Sequence, residues 1–162
     1  MQRIFFAPVA DVSKNGKFFE TAISGITTAN GIKQLWGVIS PDITWNRISK
    51  GDFLFIYNKG YLVYYATIKA KFEDTNLSKS LWSPKYKIDG TILYYDKILE
   101  FDKIYSCNIS FDVFKDLAGY KEKASVRKFM ELSEIGYSNL TKKYDTIEKI
   151  IKITAPNNGY KT

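Results

Sequence analysis

The sequence predicts an α+β domain: a curled or closed sheet of about six strands, flanked by helices. Three observations predict it. Short β-rich runs recur along the chain, bounded by Gly, Asn, Asp and Pro. Apolar residues switch to helical spacing once early and again in the C-terminal third. Between them, Phe53 to Ile68 reads as an apolar hairpin. Strands and helices do not alternate as βαβ units would, so the helices are segregated around the sheet. Curling or closure also hides the edges of strands this apolar.

Arg3 to Val9 is apolar and aromatic with Pro8 near its end, and reads as the first strand. A turn at Ser13-Lys14-Asn15-Gly16 precedes Phe18, Phe19, Ala22, Ile23 and Ile26, whose spacing predicts a short amphipathic helix closed around Gly25. Thr27 to Gly31 is loop-like and Leu35 to Ile39 a second strand. Ser40-Pro41-Asp42 opens a brief helix carrying Ile43, Trp45, Arg47 and Ile48. Lys50-Gly51-Asp52 then leads into Phe53–Tyr57, which lacks alternation and is expected to be buried on both faces. Asn58-Lys59-Gly60 joins it to Tyr61–Ile68. Lys69 to Lys79 is polar, and the stretch on to Asp89-Gly90 is expected to be a loop. Thr91–Tyr95, Lys97–Phe101 and Ile104–Phe111 are further β-rich runs. Helices are predicted at Val113–Leu117 and at Ser125–Ile135, the latter with Val126, Phe129, Met130 and Leu132 as its apolar stripe. Residues 1–153 form one expected domain and 154–162 a linker or tail.

Composition excludes several functions. The 162 residues include no histidine, which removes His-based acid–base catalysis, His-activated nucleophiles and His-ligated metals. No glycine-rich phosphate loop, metal-ligand spacing or nucleophile motif is present, so neither enzyme activity nor a cofactor is expected. The lone Cys107 has no partner for an internal disulfide and fits a reducing compartment. No signal peptide or membrane-length apolar run is visible, and a cytoplasmic location is expected.

Twenty-four Lys plus Arg against seventeen Asp plus Glu give a net charge of +7. A basic surface attracts polyanions through phosphate neutralisation and counterion release, although a lysine-rich composition alone has the same effect on charge. Aromatic residues make up 16% of the chain. Trp36 and Trp82 bracket the central hairpin, and aromatic rings on a basic β-scaffold suit a flat anionic ligand such as nucleic acid. Core packing is the competing reading for both, more natural for Trp36 in its apolar strand than for Trp82 beside Ser83-Pro84-Lys85. Trp45 is expected to pack onto the sheet.

Trp36 within Leu-Trp-Gly-Val, the Lys50-Gly51-Asp52 turn before an apolar strand, the hairpin, and the later Trp82 resemble the PUA-like superfamily. Within it the chain looks like the YTH and EVE branches, which read modified bases, and like the YTH-like domains at the amino end of McrB-type modification-dependent restriction proteins. The resemblance covers roughly Arg3 to Phe101. It implies a non-enzymatic domain that flips a modified base out of DNA, plausibly N6-methyladenine in a methylated duplex. It implies an aromatic cage of Trp36 and Trp82, with Ala10 and Asp11 bordering the pocket; the family often has Asn or Ser where Asp11 stands. Asn30 and Gln34 are candidates for the base edge, or simply satisfy loop polar groups. Lys33, Arg47, Lys85 and Lys87 are candidate phosphate contacts, against a bland reading as solvated surface. The expected partners are DNA together with a fused or associated AAA+ motor and nuclease, and no membrane. An RNA-binding PUA-like module and a protein–protein interaction domain remain alternatives.

Overall fold

The computed structural model describes residues 2–8, 24–28, 31–121 and 124–154. The turn at 13–16, most of the helix expected from Phe18, and the tail from 155 lie outside them. The strands are β1 (Ile4–Pro8), β2 (Ser24–Thr28), β3 (Gly31–Val38), β4 (Phe53–Asn58), β5 (Tyr61–Glu73), β6 (Lys85–Tyr86), β7 (Ile92–Leu93), β8 (Lys97–Ser110) and β9 (Met130–Glu131). The helices are α1 (Ile43–Arg47), α2 (Thr75–Leu81), α3 (Phe111–Ala118), α4 (Glu134–Thr141) and α5 (Ile147–Thr154). Seven strands form one mixed sheet in the order β2-β3-β8-β5-β4-β1-β9, and β6 pairs with β7 apart from it. With β2 and β9 at its two ends, the sheet is open and not closed. The residues group into two compact units, and β5 and β8 are long enough to contribute to both.

The first unit comprises residues 1–9, 52–67 and 103–162. Its centre is the parallel pair β1–β4, with Phe6 opposite Phe55, and β5 runs antiparallel to β4. Phe53, Leu54, Phe55 and Ile56 are all buried, as a run without alternation predicts. Phe6 stacks on Phe55 at 5.8 Å, and Phe114 from α3 meets both rings edge-on at 5.5 and 5.6 Å. Offset and edge-to-face pairs add to the burial energy of such rings. The hairpin closes with two residues, Lys59 and Gly60, both at positive φ, so the connection is one residue tighter than the sequence suggested.

The helix expected over Ser125–Ile135 does not form. Met130 and Glu131 pair with Phe6 and Phe5 as β9, and the Leu132 N–H donates to the Ile4 carbonyl. Val126, Phe129 and Leu132 are buried as foreseen, but as an extended segment laid on the core. The helix starts later, where the Ser133 hydroxyl accepts from the Gly136 N–H. Arg3 clasps Glu131 through two hydrogen bonds of 2.9 and 3.2 Å, which fixes β9 beside β1.

Cys107 is buried on β8, its thiol donating to the Leu62 carbonyl at 3.2 Å. Burial pushes the thiol up to about 12. At pH 8 that leaves a thiolate population roughly a thousandfold below that of a free thiol near 9. Native protein is therefore expected to resist iodoacetamide at pH 8 and to react at the free-thiol rate only in denaturant. Rapid stoichiometric labelling without denaturant would contradict this placement. Because the folded-state value lies above the unfolded one, this contribution to stability is complete below about pH 9 and is lost as pH climbs through 12.

The second unit comprises residues 10–51 and 68–102. In it β3 is paired on one side with β2 and on the other with β8. The stretch expected to be a loop at Thr27–Gly31 is mostly strand, and Lys69–Glu73 continues β5. The region beyond is not a loop throughout: the Asp74 carboxylate accepts from the Leu77 N–H and opens α2. Polar composition hid this helix because only Ser78 within it is buried. Asp42 caps α1 in the same way, which places Pro41 before the helix and not in its first turn. Trp45 packs onto the sheet as expected, with its ring N–H 3.4 Å from the Ile98 carbonyl and the ammonium groups of Lys71 and Lys97 over its ring at 4.6 and 4.7 Å.

Candidate nucleic-acid interface

Trp82 ends α2, where its N–H donates to the Ser78 carbonyl and its own backbone turns extended. That break swings the indole away from the helix and onto β3. Its six-membered ring meets the strand at Gly37: a Cβ there would lie 2.8 Å from the ring's Cζ3 and 2.6 Å from the Tyr95 carbonyl oxygen. A glycine inside a strand often marks such a close approach. The Trp82 ring is half-buried, and its Nε1–H is buried with no hydrogen-bond partner among the described residues. Native folds rarely strand a buried donor, since each costs about 1–3 kcal/mol. No hydrogen bond from the indole N–H to a described residue helps to hold this ring against Gly37.

Trp36 precedes Gly37 and is 9% exposed. Successive side chains of a strand leave on opposite faces, so the Trp36 Cβ departs from the face opposite the one that Trp82 covers. The two indoles thus flank the Gly37 backbone from its two sides. Gln34 shares the Trp36 face by the same period and is half-buried.

The other predicted positions separate into groups. Ala10, Asp11 and Asn30 lie outside the described residues. Lys33 is 3.6 Å from the Glu100 carboxylate, which Lys69 approaches at 3.5 Å. Glu100 is buried, and it offsets part of the charge that Lys33 would offer a phosphate. Arg47 is exposed in the last turn of α1. Lys85 and Lys87 are exposed on the β6–β7 hairpin, which begins three residues after Trp82.

Sequence reasoning treated the first arm and the turn of that hairpin as loop, although β7 falls within its β-rich run Thr91–Tyr95, and passed over Tyr86 and Ile88, both strongly exposed. The legible signal was Lys85-Tyr86-Lys87-Ile88 followed by Asp89-Gly90: charged and apolar residues alternate, and an Asp-Gly pair turns the chain. The Thr91 N–H donates to the Asp89 carboxylate at 2.9 Å and holds that group below the usual carboxylate range. Among the described residues there is no group of three or more potential metal ligands, and no helix long and apolar enough to cross a membrane.

No protein-family model matches the chain, and a search of curated proteins finds no match. Solved structures do match. The N-terminal domain of Thermococcus gammatolerans McrB, bound to m5C DNA, superposes with a TM-score of 0.61 at 16% identity, over 93% of this chain and 99% of that one. The YTH domain of Pho92, in complex with m6A, superposes with a TM-score of 0.52 at 16% identity, over 98% of this chain and 89% of that one. The chain therefore shares the fold of these two domains, the fold that its tryptophans, Gly-Asp turn and hairpin led us to expect.

Proposed function

We propose that this protein is a non-enzymatic reader of modified bases in DNA. The observation that carries the reading is Trp82: a half-buried indole seated on Gly37, its N–H unpaired, at the start of a basic hairpin. A modified base is extruded from the duplex and stacks on Trp82. Ala10, Asp11 and Asn30 are the residues proposed to border the base, while Trp36 and Gln34, whose side chains leave β3 on its other face, support the strand on which Trp82 rests. Lys85, Lys87 and Arg47 hold the flanking phosphates and offset the few kcal/mol that flipping costs; Lys33 contributes less, given Glu100. N6-methyladenine is the base favoured, because an indole platform matches a purine face and an apolar methyl. The McrB domain's complex with m5C DNA supports a second reading, 5-methylcytosine. The same match supports a role as the target-recognition module of a restriction system, bringing an AAA+ motor and a nuclease to the modified site in the cytoplasm.

The test is a binding titration at about 0.15 M salt with duplexes of one sequence carrying N6-methyladenine, 5-methylcytosine or no modification, and with matched RNA. One buried methyl contributes on the order of 0.8 kcal/mol, so a preference of about fourfold or more is expected for one modified duplex. Equal affinity for all the duplexes overturns the reading. Tighter binding to modified RNA than to DNA moves it to the RNA-binding alternative.

A further inference from the structure

We propose that the β6–β7 hairpin is a wedge, and that Ile88 enters the base stack of a duplex beside the extruded nucleotide. The proposal rests on the base-reader assignment and adds a part to it that lies outside the pocket.

Ile88 is fully exposed, with a relative accessibility of 110%. It occupies a turn corner, a position that polar and small residues ordinarily fill. The turn holding it is well bonded. The Gly90 N–H donates to the Lys87 carbonyl at 3.0 Å, the Lys87 N–H to the Thr91 carbonyl at 2.9 Å, and the Thr91 N–H to the Asp89 carboxylate. Gly90 takes the left-handed conformation the corner needs, and β6 pairs with β7 directly below it. A turn backbone fixed this way loses little freedom when the side chain it carries inserts.

Charge selects the occupant. Lys85 and Lys87 flank Tyr86 and precede Ile88, they are exposed, and neither is paired with a carboxylate among the described residues. Asp89 is the one acidic residue of the tip, and its carboxylate is engaged by Thr91. An apolar tip rimmed by ammonium groups matches a duplex, whose base steps admit Leu- or Ile-like wedges while phosphates line both sides. Proteins that flip a base must also unstack its neighbours, and a wedge keeps the gap from reclosing. The short Ser83-Pro84 link joins Trp82 to the first strand of this hairpin, so the tip follows the proposed base platform by six residues of chain.

The experiment compares the wild type with Ile88→Ser, a change the turn accommodates, after equal melting temperatures have been confirmed. Each is titrated with a modified duplex and with the modified and unmodified strands alone. A 2-aminopurine beside the target base reports unstacking. Ile88→Ser is expected to lose about tenfold in duplex affinity and to lose the 2-aminopurine fluorescence rise, while single-strand affinity stays at the wild-type value. Unchanged duplex affinity, or an equal loss on both substrates, overturns the wedge and leaves the reader intact. A wild type that fails to distinguish modified from unmodified single strands overturns the reader and the wedge together. Retention on vesicles of about one-third anionic lipid, lost in Ile88→Ser with duplex binding unaltered, assigns the tip to a membrane surface and also overturns the wedge.

Discussion

Trp82→Ala is expected to abolish the preference for modified over unmodified duplex, while weak, salt-sensitive binding to both persists. Base–aromatic stacking contributes roughly 1–3 kcal/mol, which corresponds to about a 5- to 150-fold loss on the modified substrate. The residual binding comes from the lysines, which the substitution leaves in place, and its affinity should still fall steeply with salt. Trp82→Phe keeps a π-face and removes the indole N–H, which lacks a partner among the described residues, so it should retain most of the preference. Paired titrations at two salt concentrations read both effects. A Trp82→Ala protein that still discriminates would show that the base sits elsewhere.

Trp36, which leaves β3 on the opposite face, is a poorer probe of base binding. At 9% exposure its removal leaves a cavity in the strand's packing, and a large stability loss would accompany any binding loss. Trp82 is only half-buried, so its variants separate binding from folding more cleanly. This asymmetry matches the alternatives read from the sequence, where core packing suited Trp36 better than Trp82.

What was legible in the sequence was local. The hairpin followed from an unbroken apolar run, a turn with a glycine, and a second β-rich run, and β4 and β5 pair accordingly. Trp45 lies on the sheet because a short helix between two strands has nowhere else to bury an indole. The failures come from contacts distant in sequence. The spacing of Val126, Phe129 and Leu132 fits a helix as well as an extended ribbon. Only the pairing of Met130 and Glu131 with β1, more than a hundred residues away, decides for the ribbon. The helix at Thr75–Leu81 was hidden for a different reason: it buries almost nothing, and its best signal was the capping Asp74. At the candidate site, the two tryptophans stood out by residue type. Their separation by the Gly37 backbone follows from strand parity and from where the chain returns after α2, which spacing alone does not reveal. Gly37 itself was visible as a glycine inside a strand, and its meaning became clear only with Trp82 and Tyr95 beside it.

Gly37→Ala is expected to destabilise the protein and to weaken modified-base binding at once. In an ordinary strand the exchange would be favourable by about 0.5–1 kcal/mol, since alanine loses less freedom on folding. Here the added Cβ would sit 2.6 Å from the Tyr95 carbonyl oxygen, 2.8 Å from Trp82 Cζ3 and 3.0 Å from the Tyr95 Cβ. The Tyr95 contacts involve backbone close to the start of β8, which cannot swing aside as a flexible side-chain tip can. Overpacking of this kind costs about 1–3 kcal/mol, which outweighs the backbone gain and sets the sign. A melting temperature lower by several degrees is the first readout. The second is a double-mutant cycle: Trp82→Ala removes one of the opposing atoms, so the two changes together should cost less than the sum of each alone. Additive costs would mean that the ring does not press on this strand, and the base platform would lose its support.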